Sequence, residues 1–334
     1  MTFKDTLHYK FLSMSIYLIV GVVSLGSCQS TKVNNIVIDE QALLQHIKVI
    51  SHDSLEGRFF STPGNYKAQK YIKEQFASLN IPPAFNDGYI QQFPHTLSGK
   101  SRQRIYPIAN VKEDYSNVTD TIVKGGNVVA MLKGRTNKTI VITGHLDHLG
   151  IKNGQLYNGA DDDASGTAAL FAIASYFKTK HIQHNLVFAA VDAEEIGSPG
   201  CAYLLDNFPL DIKNIVLNIN MDMISHNDSS QLYASGLYHY PQLQKPLDEI
   251  VSSIDLLYGH DDPNNKDVQD WTYSSDHREF HERKIPFIYF GVEDHKDYHQ
   301  PTDTFENINP KFYIEAVKLI IQAIEGYDTF LIDK

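Results

Sequence analysis

The sequence is poor in cysteine and in positive charge, and both shortages narrow the classes of protein it can belong to. Only two cysteines occur among 334 residues, Cys28 and Cys201, and they lie in such different contexts that we expect no disulfide between them. Because no CxxC zinc pattern is present, a bound metal would need nitrogen and oxygen ligands. Lysine and arginine total 29 against 40 aspartates and glutamates, a formal net charge of −11. Such a chain repels phosphates, so we expect no nucleic-acid partner.

One hydrophobic run lies near the N-terminus, over residues 11–26. It is shorter than the about 20 residues that a membrane-spanning helix needs, so it is typical of a secretory signal peptide. It ends in Leu-Gly-Ser before Cys28, which resembles a bacterial lipobox, where the chain is cut before a cysteine that is then lipidated. We therefore predict a signal peptide over residues 1–27 and a tether over residues 28–38. The alternatives are a plain secretory signal or an uncleaved membrane anchor, and in either case Cys28 would carry no lipid.

The lipobox resemblance also predicts a location. Acyl chains on Cys28 would anchor the protein stably, because each buried methylene contributes about 0.8 kcal/mol. Gln29 follows the cysteine in place of aspartate, which by resemblance to enterobacterial sorting indicates the outer membrane. We thus expect an exported protein, held by its lipid in a bacterial cell envelope and facing the periplasm or the outside. The other thiol, Cys201, is expected to be buried in such an oxidising compartment.

Strand-like and helix-like segments alternate through most of the remaining chain. The strand-like runs cover residues 127–132, 139–144, 186–192, 215–220 and 286–291. The helix-like stretches cover residues 39–50, 65–79, 164–180, 241–257 and 310–327. Buried apolar strands that alternate with helices predict an α/β fold, with a mostly parallel central sheet and helices on both faces. We predict a single domain over residues 39–334, with a small hairpin or insertion near residues 84–126.

Carboxylates and imidazoles follow four of these strands at the point where each strand ends. They are His145, Asp147 and His148 after the second strand, Glu194 and Glu195 after the third, Asp222 after the fourth, and His295 and His299 after the fifth. An acidic loop, Asp161–Asp163, precedes the helix at 164–180. Parallel strands end at one edge of their sheet, so we expect these groups to lie close together. Crowded carboxylates repel one another unless metal ions neutralise them, and this donor set favours Zn²⁺, with Mn²⁺ or Co²⁺ as alternatives.

Six segments together resemble the di-zinc aminopeptidase family that includes bacterial leucyl aminopeptidase, with glutamate carboxypeptidase II, glutaminyl cyclase and transferrin receptor as relatives. The segments are GHLDHLG (144–150), NGADDDASG (158–166), DAEEIGS (192–198), NMDM (220–223), SDHREF (275–280) and YHQPTDT (298–304). Each segment is weak evidence alone, whereas their combination and order are specific. The resemblance covers roughly residues 127–327 and implies a phosphorylase/hydrolase-like zinc exopeptidase fold with two zinc ions.

The resemblance implies a role for each matching residue. The expected metal ligands are His145, Asp162, Glu195, Asp222 and His299. Asp162 is expected to bridge both ions, with His145 and Asp222 completing one site and Glu195 and His299 completing the other. The residue before Glu195, Glu194, is expected to act as the general base. Family members often have a cis peptide bond after the bridging aspartate, which here is the bond between Asp162 and Asp163.

Other residues of these segments are expected to support the site without binding metal. Asp147 is expected to accept the second imidazole N–H of His145 and so to fix its tautomer. The family places supporting and substrate-contacting groups before the last strand, here Tyr273, Ser275 and Asp276, with Tyr273 a candidate oxyanion or pocket residue. The family pattern is complete without the remaining histidines, which we therefore expect to be polar surface, supporting or structural residues: His148, His277, His281 and His295.

The activity that the resemblance implies is hydrolysis of the first peptide bond of peptides with a free N-terminus. A glutaminyl cyclase-like acyltransferase is an alternative, although that branch departs from the Asp-x-x-Ser-Gly pattern kept here at residues 162–166. Non-enzymatic relatives have lost ligands or the base, which this chain retains. A carboxypeptidase or dipeptidase remains open, with Arg278 and Arg283 as candidates for binding a substrate carboxylate. The sequence leaves the oligomeric state and the side-chain preference open.

Overall fold

The computed structural model of the chain describes residues 36–97 and 120–332. The contacts within the chain divide it into two units, Met1–Asn34 and Asn35–Lys334. Everything described below belongs to the second unit. The predicted signal peptide, Cys28 and most of the predicted tether lie outside the described residues. Within the described ranges, no helix combines the length and the apolar character needed to cross a membrane.

Most strands of the described residues form one sheet at the centre of the second unit. The strands are β1 (Ile90–Leu97), β2 (Thr121–Leu132), β3 (Thr139–His145), β4 (Gly150–Lys152), β5 (Gln155–Tyr157), β6 (Asn185–Val191), β7 (Ile215–Met221), β8 (Gln231–Ser235), β9 (Asp255–Tyr258) and β10 (Phe287–Gly291). The sheet has the order β1-β2-β6-β3-β7-β10-β8-β9, and β4 pairs with β5 in a separate hairpin. Strands β6, β3, β7 and β10 are parallel, whereas β1, β2 and β8 each run antiparallel to their inner neighbour. The predicted mostly parallel sheet is confirmed.

The helices begin where the sequence supplies caps. They are α1 (Glu40–Ile50), α2 (Pro63–Ser78), α3 (Gly166–Phe177), α4 (Pro199–Asp206), α5 (Gln244–Asp248), α6 (His277–Glu282) and α7 (Pro310–Phe330). Side-chain oxygens of Asp39, Thr62 and Asn309 accept backbone N–H groups at the starts of α1, α2 and α7, which satisfies donors that have no partner inside the helix. Four of the five predicted helices are confirmed to within one helical turn.

The predicted helix over residues 241–257 is wrong. After a short 3-10 turn only α5 is helical, and the end of this segment forms β9. Ile250 and Val251 lose side-chain freedom in a helix, and the two serines that follow compete for backbone hydrogen bonds, so this stretch favours leaving the helix. β9 then pairs with β8, beyond β10 at the edge of the sheet. Both strands are short and partly exposed, and neither has the continuous apolar run that identified the central strands.

Alternate side chains of the central strands enter two cores, one on each face of the sheet. In β3, Ile140 and Ile142 belong to the larger core, which α1, α3 and α7 complete. Val141 points the other way and packs with residues of α4 and α6. Because both faces are covered, the central strands carry mostly apolar residues on both sides, although β7 also contains the buried polar residues Asn218 and Asn220. Cys201 lies in the smaller core and is buried, as predicted.

Candidate metal centre

The carboxyl ends of the central strands deliver the polar residues that the sequence singled out. β3 ends at His145, β7 is followed directly by Asp222, and β6 leads into a 3-10 turn at Glu194–Ile196. The acidic triplet occupies the irregular turn Ala160–Ser165 before α3, and the loop after β10 carries His299. The peptide bond between the second and third aspartates is cis, as the family resemblance implied. The topology therefore brings residues from five distant segments to one edge of the sheet.

One group of donor atoms consists of His145, Asp162 and Asp222. The Nε2 atom of His145 lies 3.1 Å from Oδ1 of Asp162 and 3.5 Å from Oδ1 of Asp222. All three side chains are buried, and their donor atoms lie within 4.8 Å of one another. A nitrogen and two carboxylate oxygens at this spacing match the donors that zinc and similar divalent metals prefer.

A second group lies on the other side of the same aspartate. The Nε2 atom of His299 is 3.1 Å from Oδ2 of Asp162 and 3.7 Å from Oε2 of Glu195. His148, which the family pattern leaves outside the donor set, also lies here, with its Nδ1 atom 2.9 Å from Oε1 of Glu195. The two oxygens of Asp162 thus face different groups, which is the arrangement expected of a residue shared by two metal ions.

Several buried donor atoms of these groups make no hydrogen bond within the described part of the chain. They are Nε2 of His145, Nδ1 of His148, Oε1 of Glu195 and Oδ1 of Asp222. A buried polar atom without a partner costs roughly 1–3 kcal/mol, and folded proteins rarely tolerate several together. Their convergence on two small groups fits the binding of metal ions, which would satisfy all four atoms at once.

Charge at the centre is balanced between imidazoles and carboxylates. Burial alone would raise the pKa of Asp162, but the neighbouring imidazoles of His148 and His145 hold that pKa well below its ordinary value. Burial likewise opposes the charged form of His145, yet the carboxylates of Asp222 and Asp147 raise its pKa well above the ordinary value. The carboxylates are therefore stable as anions only while positive charge lies beside them, and divalent cations would supply that charge more strongly than imidazolium.

Asp147 contacts His145 differently from the prediction. The Nδ1 atom of His145 lies 3.1 Å from the backbone carbonyl oxygen of Asp147, whereas the nearest carboxylate oxygen is 3.7 Å away. The carboxylate instead accepts the backbone N–H groups of Glu194 at 3.0 Å and Glu195 at 3.3 Å. The predicted hydrogen bond between the Asp147 carboxylate and the His145 imidazole is therefore wrong, because the turn after β6 holds this carboxylate. An Nδ1–H donated to the carbonyl leaves Nε2 free for a metal.

Glu194 lies beside the two groups without joining either. It opens the 3-10 turn that also carries Glu195, and its side chain is partly exposed. Desolvation by the surrounding protein raises the pKa of its carboxyl well above the ordinary value, although His145 opposes this, and the negative charges of Asp276 and Glu195 add to the increase. A carboxyl group with a raised pKa holds a proton more readily than a free one, which suits a role in proton transfer.

The two outer aspartates of the triplet fasten the acidic turn to its surroundings. Asp163 accepts the backbone N–H groups of His145 at 2.9 Å and Gly166 at 2.8 Å, which ties the end of β3 to the start of α3. Asp161 accepts both N–H and O–H of Ser225 and lies 2.9 Å from Nε2 of His295. Of the triplet, only the middle member, which the family resemblance names as the shared ligand, faces the donor groups.

Two residues that hold the acidic turn were missed in the sequence. The carboxylate of Asp303 accepts the backbone N–H groups of Asp161 at 2.8 Å and Asp162 at 3.1 Å. Arg58 is fully buried and donates to the carbonyl oxygens of Leu146, Ile50, Asn158 and Gly159 at 2.6–2.9 Å. Three of these carbonyls, those of Leu146, Asn158 and Gly159, lie within four residues of His145 or Asp162 in the sequence. Asp303 lies inside the family segment at residues 298–304, so the sequence could have identified it. Arg58 lies outside all six segments, and a single arginine forms no recognisable pattern with its neighbours in sequence.

The remaining predicted site residues lie behind or beside the centre. Ser275 is buried, and its hydroxyl accepts a hydrogen bond from Asn220 of β7 at 2.9 Å. Asp276 is also buried, which raises the pKa of its carboxyl to about 7. Tyr273 is exposed over about half of its surface, at 53%, and its ring contacts His281, 5.5 Å away between ring centres. Ser275 and Asp276 thus lie near the donor-bearing strands, whereas the ring contact of Tyr273 is with His281, a half-buried histidine.

A further set of potential donors, His226, His295 and Asp297, lies next to the acidic turn. Both ring nitrogens of His295 already have partners, the carboxylate of Asp161 and the backbone N–H of Asp297. The rings of His226 and His295 are also stacked, 3.9 Å apart between centres. Because both nitrogens of His295 already have partners, we interpret this set as support for the acidic turn.

Comparison with known structures shows the fold. The crystal structure of BSAP, a zinc aminopeptidase from Bacillus subtilis, superposes with a TM-score of 0.66 at 17% identity, covering 89% of this chain and 96% of that one. The crystal structure of a glutaminyl cyclase from Fimbriiglobus ruber superposes with a TM-score of 0.65 at 16% identity, covering 87% of this chain and 96% of that one. At such low identities these likenesses show a common fold and nothing finer.

Sequence comparison shows the family. Aminopeptidase YwaD of Bacillus subtilis is 26% identical over 216 residues, which are 59% of this chain and 44% of that protein. The chain spans about half the length of the curated relatives it matches. The sequence model of peptidase family M28 matches residues 127–324, the part that contains both donor groups. Since that match covers more than half of the chain, the protein belongs to peptidase family M28.

Proposed function

We propose that this chain is a zinc-dependent aminopeptidase that hydrolyses the first peptide bond of peptides with a free N-terminus. One observation carries the proposal: the two carboxylate oxygens of Asp162 lie 3.1 Å from two different histidines, each within a separate donor group. Two groups that share a carboxylate are typical of two-metal hydrolytic sites. Membership of family M28 and the relation to aminopeptidase YwaD support the choice of reaction.

In this proposal, each donor group holds one zinc ion. The first would be held by His145, Asp162 and Asp222, and the second by Asp162, Glu195 and His299. Bound zinc would supply Lewis acidity at the scissile carbonyl and a lower pKa for a nearby water. The same donors also suit Mn²⁺ and Co²⁺, so the choice of zinc rests on the donor set and on the likeness to BSAP, a zinc aminopeptidase.

Glu194 carries the proton in the proposed reaction. It takes a proton from the attacking water and returns it to the nitrogen of the leaving amine. Asp147 accepts the backbone N–H groups of Glu194 and Glu195 and so holds the base at a fixed position relative to its neighbour. The carboxylates at this edge also attract the positively charged α-ammonium group of a substrate, which favours cleavage at a free N-terminus.

The carboxypeptidase alternative depends on arginines that could bind a substrate carboxylate. Arg283 is already paired with Asp206 at 2.8 Å and with Glu279 at 2.7 Å, and Arg278 lies 3.9 Å from Glu279. Both candidates are therefore partly neutralised by acidic side chains of this chain. The glutaminyl cyclase alternative is disfavoured by the presence of all the donors of both groups, since that branch typically keeps one zinc.

A panel of matched peptides tests the reaction. The zinc-loaded full chain is incubated with aminoacyl peptides, with the same peptides blocked at the N-terminus, and with peptides that begin with glutamine, and products are identified by mass spectrometry. We expect release of single N-terminal residues from the free peptides and no cleavage of blocked ones. Cleavage at the C-terminus of blocked peptides would overturn the proposal in favour of a carboxypeptidase, and loss of ammonia from glutaminyl peptides without hydrolysis would favour a cyclase.

A further inference from the structure

We infer that His148 is a fourth protein ligand of the second metal ion, so that the two metal sites differ in affinity and the second fills first. The inference rests on the proposed function, because it assumes that the two donor groups bind metal. His148 lies outside the ligand set that the family segments supplied. Its place in the centre follows from its contacts in this chain.

The distances around the second group fit a four-ligand shell. Ligand atoms at about 2.0–2.1 Å from a tetrahedral zinc lie roughly 3.3 Å from one another. Nδ1 of His148 is 2.9 Å from Oε1 of Glu195 and 3.6 Å from Oδ2 of Asp162, and the donor atoms of these three residues lie within 4.8 Å of one another. Nε2 of His299 is 3.1 Å from the same oxygen of Asp162 and 3.7 Å from the other oxygen of Glu195, Oε2. These four distances lie on both sides of the expected value, as they would for four residues around one ion that Glu195 faces with both of its oxygens.

The close approach of His148 to Glu195 is not a hydrogen bond. Their nearest atoms are 2.9 Å apart, which is short enough for one, yet neither atom has a hydrogen-bond partner within the described residues. The side chain of His148 is fully buried. Two buried polar atoms that lie side by side without pointing at each other are aimed at a common third point, and a cation at that point would satisfy both.

The chain also leaves room for the imidazole at this position. Gly159, at the start of the acidic turn, has a positive φ of 57°, and a methyl group there would collide with the His148 ring. A glycine is thus needed both for the backbone conformation and for the ring. The ring is enclosed between the acidic turn and the turn that carries Glu195, which fixes where its Nδ1 atom lies.

Four donors against three make the two sites unequal. A closed shell of four protein ligands is typical of tightly held zinc, whereas three protein ligands leave a position for water or substrate. The second group supplies His148, Asp162, Glu195 and His299, and the first supplies only His145, Asp162 and Asp222. The ion beside Asp222 is therefore the exchangeable one with an open position, and the ion beside Glu195 is the one retained during dilution or mild chelation.

Metal titration tests the inference without reference to activity. The full chain is stripped with a chelator and titrated with Zn²⁺ against a chromophoric competitor, for the wild type, H148A and the control H181A, which removes an exposed histidine. We expect two binding steps of unequal affinity in the wild type and in H181A. In H148A the tighter step should weaken by on the order of 100-fold, since even residues that only support a ligand contribute 10- to 100-fold. Unchanged affinities in H148A would overturn the inference.

A cysteine at the same position gives a spectroscopic check that a merely structural role would not produce. H148C loaded with one equivalent of Co²⁺ should show thiolate-to-cobalt charge-transfer absorption in the near ultraviolet, whereas the wild type and H181C should not. Absence of that band in a folded, cobalt-loaded H148C would contradict the inference even if H148A fails to fold. If the wild type binds no metal, the proposed function fails as well; if it binds two ions and hydrolyses peptides while His148 variants behave normally, only this inference fails.

Discussion

Asp162 is the residue through which the two donor groups meet, and its position depends on its neighbours. Its backbone N–H donates to Asp303 at 3.1 Å, and the aspartates on either side are both held by backbone N–H groups of other segments. The short aspartate side chain therefore has little freedom. Such constraint is what a shared ligand needs, because each of its oxygens must face a different ion.

Glu194 provides the clearest test at the scale of a single residue. Glu194→Gln removes the base without removing a donor, so we expect zinc content to stay near that of the wild type while kcat falls by about 10²–10⁴-fold. Metal content is measured by plasma mass spectrometry and kcat on an aminoacyl peptide. The matched control is Glu195→Gln, which should lower zinc content as well. A Glu194→Gln enzyme with normal kcat would remove Glu194 from the proton transfer.

His277 should make the folded protein sensitive to acid. Burial lowers the pKa of His277 to about 3, and the positive charges of His281 and Arg278 add to the decrease, although its hydrogen bond to the Trp271 carbonyl opposes it. Between pH 3 and the unfolded value of about 6.5, the unfolded chain binds a proton that the folded chain does not. The contribution of neutral His277 is thus complete above pH 6.5 and is lost as the pH falls toward 3.

Urea unfolding of the wild type and His277→Gln at pH 7 and pH 5 measures this effect. Glutamine does not titrate, so the wild type should lose about 2 kcal/mol more of its free energy of unfolding over this interval than the variant does. A glutamine amide is also able to donate to the Trp271 carbonyl, which keeps that contact in the comparison. Equal losses in both proteins would show that His277 titrates normally in the folded state.

Among individual residues, the sequence predicted those that form part of a recognisable motif. His145, Asp222 and the pair Glu194–Glu195 stood at or directly after the ends of apolar strands. Asp162 and His299 were identified by the family segments. His148 was passed over because the family pattern was complete without it. The partner of Asp147 was assigned wrongly because its carboxylate is held by a turn 47 residues farther along the chain, and nothing local in the sequence records that contact.

At the scale of elements, the centre is built on loops that a few buried groups hold in place. Arg58 joins the end of α1, the loop after β3 and the loop before the acidic turn through four carbonyl oxygens. Its guanidinium is fully buried, which lowers its pKa, while nearby aspartates including Asp162 oppose that decrease. The planar guanidinium can donate in several directions at once, which a lysine ammonium cannot reproduce at the same positions.

Arg58→Lys should therefore loosen both loops together. One ammonium group cannot reach all four carbonyls, and leaving two of them unpaired should lower the free energy of unfolding by about 2–4 kcal/mol. We also expect weaker zinc binding, because the segments that carry His145 and Asp162 lose a common support. Denaturant unfolding and zinc competition measure the two effects, with Arg135→Lys, at an exposed position, as the control. A variant that matches the control in both measurements would contradict this role.

The elements that could be predicted are those whose local sequence agrees with their final environment. The central strands are mostly apolar on both sides because helices cover both faces, and α1, α2, α3 and α7 have recognisable starts or apolar stripes. β8 and β9 were missed because they are short and lie toward the edge of the sheet, where partial exposure weakens the apolar pattern. The helix expected at 241–257 gave way to β9 because pairing with β8 outweighed a weak helical preference.

For the whole molecule, the family match and the export prediction depend on different parts of the chain. The match to peptidase family M28 covers residues 127–324, whereas the lipobox-like segment ends at Cys28, outside the described residues. We propose that the protein is held at a membrane through a lipid on this cysteine. The support for this is the order of a short apolar run, small residues and a cysteine, and it is independent of the metal centre.

Substitution of that cysteine separates anchoring from catalysis. Cys28→Ser, expressed in a bacterial host, should lose incorporation of labelled palmitate and move from the membrane fraction to the supernatant, while its activity per molecule is unchanged because the metal centre is untouched. Labelling and fractionation of the wild type and of Cys201→Ser, which alters a buried thiol, provide the comparison. Palmitate that persists in Cys28→Ser would show that the lipid, if any, is attached elsewhere.

The position of the metal ions tests the central claim most directly. Crystals of the zinc-loaded protein, measured on both sides of the zinc absorption edge, should give two anomalous peaks, one between His145 and Asp222 and the other between Glu195 and His299, with Asp162 between them. A single peak, or peaks away from Asp162, would contradict the account of a carboxylate shared by two metal ions.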